Sequence, residues 1–165
     1  MRKNIYAILV IATLIANPIK ATIWNVGPAQ TYTMPSQVAP LVNNGDTVNI
    51  AAGIYNSNVC AWTDNNLLLR CVNGMAHLKS NGLSFGDKAI WVIQGNNTRV
   101  ENIEFSLCTS TSLNGAGIRL EGQNLTVRNC YFHDNENGIL CGAITACKVT
   151  VEFTEFNLNG AGDGF

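Results

Sequence analysis

The chain has 165 residues, enough for one domain or for one domain behind a processed leader. Only 13% of the residues are charged and the formal net charge is -1, so there is no basic footprint for nucleic acid. A hydrophobic share of 47% excludes a disordered chain, and the shortage of charged helix formers excludes a helical bundle.

Residues 1–21 read as a secretory signal. Arg2 and Lys3 precede an apolar run over 5–16, helix-breaking Pro18 follows, and Ala21 offers a cleavage position. The run is short for a membrane span. A buried first helix and an uncleaved anchor are the competing readings. Cleavage removes Arg2, Lys3 and Lys20, which leaves seven of the 10 positive charges against 11 acids, a net charge of about -4. The expected location is secreted, periplasmic or extracellular, with no membrane contact after cleavage. The remaining 22–165 form the single predicted domain.

Residues 36–42 predict a short amphipathic helix with Val38, Leu41 and Val42 on one side. The turn Asn44-Gly45-Asp46 then leads into short strand patterns over 47–50 and 53–55. A weak repeat unit covers 66–72. Two stronger units, 90–105 and 117–132, align without gaps. Gly95 meets Gly122, Asn97 meets Asn124, Val100 meets Val127, Asn102 meets Asn129, and Phe105 meets Phe132, each a step of 27 residues. A third unit follows over 138–142 and 149–156.

Each unit holds two short alternating segments split by Gly and Asn, too short for helices and too widely spaced for hairpins. This pattern predicts an all-β fold, a right-handed parallel β-helix (a solenoid) of roughly four rungs with an N-terminal capping helix. Stacked rungs place Ile93, Leu120 and Cys141 in one inward column. Val100, Val127 and Val151 form a second, and Phe105, Phe132 and Phe156 a third. Asn102 and Asn129 are expected to form an amide ladder that ends at Phe153. Glu101, Arg128 and Glu152 form an outward column of alternating charge. Six cysteines in an exported chain permit disulfides, although the columns predict Cys130 and Cys141 as buried, reduced core residues. The run Asp163-Gly164-Phe165 reads as the start of another rung, so the sequence predicts a C-terminally truncated solenoid that self-associates through an open edge.

Gly45-Asp46-Thr47-Val48 followed by Ala52-Gly53-Ile54-Tyr55, together with the N-x-T-V-x-N-x-x-F units, resembles the pectate-lyase-like right-handed parallel β-helix repeat proteins. The resemblance spans about residues 24–165 and is more specific for fold than for activity. It implies acidic polysaccharide as partner, Ca²⁺ as the ion that family members use, and an Arg or Lys base in lyases.

No convincing active site emerges from the residues. Arg119 and Arg128 are the lyase-type candidates, on different strands of one rung, with Arg128 flanked by Glu101 and Glu152. Glu101, Glu121 and Glu152 make a poor carboxylate set for hydrolysis. His133-Asp134 is an acid–base candidate at a turn, against the simpler reading of a solvated turn. His77 reads as isolated, and Asp163 is a lone candidate for a cation. The expectation is an exported β-helix protein, the N-terminal part of a polyuronate-lyase-like protein, inactive by itself. The alternative is a structural or adhesive surface module.

Overall fold

The structure is a computed structural model that describes residues 20–142 and 147–160. Residues 1–19 of the predicted leader, and Asp163, lie outside the described residues. The chain is a parallel β-solenoid of about five turns, close to the expected four.

The elements follow in chain order. Strand β1 (Ile23–Val26) precedes a one-turn helix, α1 (Pro35–Val38), and the long strand β2 (Thr47–Asn56). Next come β3 (Cys60–Trp62), a second long strand β4 (Leu68–Lys79), and β5 (Ala89–Ile93). The later turns repeat one pattern: β6 (Arg99–Glu101), β7 (Ile103–Ser106) and β8 (Ala116–Leu120), then β9 (Leu125–Arg128), β10 (Tyr131–His133) and β11 (Asn137–Cys141). Strands β12 (Val149–Glu152) and β13 (Glu155–Asn157) complete the described turns.

Every ladder between these strands is parallel. One four-stranded sheet runs β11-β8-β5-β3, and a nine-stranded sheet holds the rest. The nine-stranded sheet forks at β4. One branch continues through β6, β9 and β12, the other through β7, β10 and β13. Each later turn therefore presents three strands facing three ways.

The fork is made by asparagine. Asn102 and Asn129 sit at φ 60° and 49°, the left-handed region that Asn tolerates because its short amide bonds locally. The Asn129 amide donates to Asn102 Oδ1 at 2.8 Å, as the repeat predicts, and Phe153 at φ 49° takes the next position. A second ladder was not anticipated. Asn97 donates to Asn66 and Asn124 donates to Asn97, both at 3.0 Å, at the corner before the first branch.

The inward columns have the predicted register. Val100 lies opposite Val127, which lies opposite Val151. Phe105, Phe132 and Phe156 stack face to face with centroids 4.8 and 5.0 Å apart. Glycine makes the room for this stack: a Cβ on Gly117 would sit 2.5 Å from Phe132 Cδ1, and one on Gly138 2.6 Å from Phe156 Cδ1. Below it, Trp91 packs edge-on against both Phe105 and Trp62.

Two expectations need correction. The helix is one turn, not seven residues, and Leu41 is 42% exposed while Val38 and Val42 are buried. Pro40 lacks the N–H that would continue the helix, which ends at Val38 with Ala39 as its C-cap. Cys141 keeps its column, opposite Leu120, yet it is exposed and disulfide-bonded to Cys147. It lies on the last described turn, where no described rung covers the inward residues. Val151 and Phe156 are likewise 45% and 46% exposed.

Cys60, Cys71, Cys108 and Cys130 are free and buried. Burial pushes the Cys108 thiol up to about 12 and the Cys130 thiol up to about 11, so neither offers thiolate at neutral pH. Iodoacetamide on the native chain is therefore expected to modify no cysteine. Mild reduction exposes the Cys141–Cys147 pair, and unfolding under reduction exposes all six. Mass spectrometry reads the three states, and native labelling of Cys130 contradicts this core.

Candidate functional site

Along the second branch, alternate residues of short strands face out. His77 is opposite Glu104, which is opposite Tyr131 and then Glu155. Lys79 is opposite Ser106, which is opposite His133 and then Asn157. Three successive turns so bring two imidazoles, a carboxylate, a hydroxyl and a phenol onto one face.

Their contacts converge on one oxygen. Glu104 Oε1 lies 3.3 Å from His77 Nδ1 and 3.0 Å from His133 Nε2. The far nitrogen of each ring is also held: His77 Nε2 is 2.7 Å from Ser106 Oγ, and His133 Nδ1 is 2.7 Å from Asp134 Oδ2. Tyr131 stacks on His133 with centroids 4.4 Å apart, and Asn157 donates to the Tyr131 hydroxyl at 3.3 Å. All three central side chains are half-buried.

The two histidines are tuned in opposite directions. Burial lowers the His77 pKa, and the nearby His133 and Lys79 add to this against the pull of Glu104. Burial also opposes charge on His133, but its hydrogen bonds to Asp134 and Glu104 outweigh it and raise the pKa. One face thus carries two imidazoles tuned in opposite directions on a shared carboxylate.

The other predicted residues lie elsewhere. Arg119 is on β8 in the four-stranded sheet, where its buried Nε has no partner. Arg128 is on β9 in the first branch, its Nε 3.8 Å from Glu152 and its guanidinium 5.5 Å from the Phe153 ring centre. Arg119, Arg128 and His133 therefore occupy three different faces and do not form one site. Asp134 joins His133 as the sequence dipeptide implies. His77 is not isolated, and Glu104 is a residue that sequence reasoning missed. The signal was present: 77, 104 and 131 are spaced by the same step as the repeat columns.

Calcium does not fit the Glu101, Glu121 and Glu152 carboxylates. It takes six to eight oxygen ligands. Arg99 bonds Glu101 at 2.5 Å, Lys88 bonds Glu121 at 2.5 Å, and Glu152 faces Arg128, so each carboxylate of the predicted set is already neutralised. The set of His and acidic groups that converges within 4.8 Å among the described residues is His77, Glu104 and His133.

No family model, curated protein or solved structure matches this chain.

Proposed function

We propose that the chain is an exported, pectate-lyase-like β-helix protein that binds acidic polysaccharide along the outward face of the second branch and is catalytically silent by itself. The supporting observation is the composition of that face: the stacked Tyr131–His133 pair flanked by Lys79 and by the amides of Asn56 and Asn157. An aromatic ring receives the C–H face of a sugar, amides bond its hydroxyls, and Lys79 with protonated His133 attracts a uronate carboxylate. Parallel strands at a constant spacing keep the outward rows of this face aligned along an extended polymer.

The surroundings of the arginines support catalytic silence. Arg99 and Arg128 face carboxylates, which suppresses their use as free bases. Titration calorimetry with polygalacturonate and alginate is expected to show binding that Tyr131→Ala weakens about tenfold, without unsaturated product absorbing in the ultraviolet. Absence of binding to every acidic glycan overturns the reading, and product formation overturns catalytic silence.

A structural or adhesive module is the second reading. It is favoured by Val151, Phe153, Phe156 and Leu158, all exposed on the last described turn. Such a surface supports self-association through that edge. Light scattering that shows a monomer at all concentrations counts against it.

A further inference from the structure

We propose that His77, Glu104 and His133 form a mononuclear site for a divalent transition-metal ion of the zinc class. The inference concerns the same face as the glycan reading but does not rest on it.

The donor set is the first argument. Two imidazole nitrogens and one carboxylate oxygen suit zinc and its late first-row neighbours, and in catalytic zinc centres such a triad leaves a fourth position for water. Hard ions such as calcium need many oxygens, which this cluster lacks. Geometry is the second argument. Bonds of about 2.1 Å in a tetrahedron put ligand atoms about 3.4 Å apart. His77 Nδ1 and His133 Nε2 lie 3.3 and 3.0 Å from Glu104 Oε1, and the three ligand atoms fall within 4.8 Å of one another.

The outer contacts are the third and most specific argument. A metal-binding histidine usually donates its other ring N–H to an oxygen, which fixes the tautomer and aims the free lone pair. Both rings have an oxygen at the nitrogen away from Glu104, and the tautomer that donates to it frees the facing nitrogen for an ion. Ser106 Oγ holds Nε2 of His77 and leaves Nδ1 facing Glu104, while Asp134 Oδ2 holds Nδ1 of His133 and leaves Nε2 facing the same oxygen. The three ligands sit on β4, β7 and β10, successive strands of one ladder, so the backbone holds them without a mobile loop.

Calorimetric titration of the tag-free, chelator-stripped chain with Zn²⁺ tests this. One equivalent is expected to bind. His133→Ala weakens binding at least 100-fold and Asp134→Ala weakens it 10- to 100-fold. Glu121→Gln, on a different face, changes it less than twofold. Co²⁺ on the unaltered chain supplies a readout independent of variant folding: nitrogen- and oxygen-type visible bands are expected, without thiolate charge transfer. Absence of stoichiometric Zn²⁺ binding overturns the proposal. So does retained affinity in His77→Ala/His133→Ala, or a thiolate band that assigns the metal to cysteine. Glycan binding is measured without metal, so failure of either reading leaves the other standing.

Discussion

Phe132→Ala is expected to lower the unfolding free energy by about 4 kcal/mol, within the usual range for a buried Phe-to-Ala change. Phe132 is 0% exposed and lies in the middle of the aromatic stack, with Phe105 at 4.8 Å and Phe156 at 5.0 Å. Its removal strips one stacking partner from each neighbour and leaves a cavity that the ladder on either side prevents from collapsing. In a solenoid each turn is held by the turns beside it, so a void in one rung weakens two interfaces. Phe156→Ala is the internal control. That ring is 46% exposed and, among the described residues, stacks on one side only, so its loss is expected to cost about 1–2 kcal/mol. Urea unfolding of both variants, followed by tryptophan fluorescence, measures the pair. Equal costs, or a Phe132→Ala effect under 1 kcal/mol, contradict this description of the core. Gly117→Ala tests the same contact from the other side. Its new Cβ falls 2.5 Å from the Phe132 ring, and overpacking of this kind costs about 1–3 kcal/mol.

The stack was legible in the sequence because Phe105, Phe132 and Phe156 recur with the repeat, and stacking in register is what a solenoid does with a recurring residue. The Asn102–Asn129 ladder was legible for the same reason. The Asn66–Asn97 rung was not. The 66–97 separation is 31 residues rather than 27, because β4 runs through the corner with an irregularity after Val72, at Asn73 and Gly74 in positive-φ conformations. That irregularity also hid the site. A repeat unit that ends at Val72 leaves His77 without a partner, whereas the ladder resumes at Ala76 opposite Ile103 and puts His77 beside Glu104. The fate of Cys141 was hidden differently. Column membership gives side-chain direction, but burial also needs a rung above, and the column itself is silent about that. Beyond the His133-Asp134 turn, where Asp134 is exposed, Asn135 and Glu136 are buried although polar. Asn135 accepts from Cys108 N and donates to Phe105 O, while Glu136 accepts from Gly115 N and Ser110 N. Polar residues are read as exposed by default, and only the three-dimensional path of the 107–115 loop reveals their partners.

Stability is expected to fall as the pH drops below about 4, and Asp46→Asn is expected to flatten that fall while costing about 2–3 kcal/mol at neutral pH. Asp46 is buried at the entrance to β2, in the Gly45-Asp46-Thr47-Val48 turn that carries the family resemblance. Oδ1 accepts the Thr22 N–H at 2.7 Å, and Oδ2 accepts the Trp24 indole N–H and the Asn43 N–H, both at 2.9 Å. The carboxylate thereby ties β1 to the turn before β2. Burial alone raises its pKa, but the three donors outweigh it, so the folded pKa lies below the ordinary aspartate value. A group whose folded pKa is depressed stabilises the fold fully above its unfolded pKa, near 3.9, and loses that contribution as the pH falls through the folded value. An asparagine has one carbonyl oxygen for these donors and turns its NH₂ toward at least one N–H, which leaves a buried donor unpaired. Urea midpoints for both chains at pH 7, 5, 4 and 3 measure the effect. The two stability curves are expected to converge toward low pH, because the substituted chain has no Asp46 contribution to lose. Parallel curves, with a constant gap from pH 7 to 3, show that the carboxylate charge is not what holds β1 to the turn.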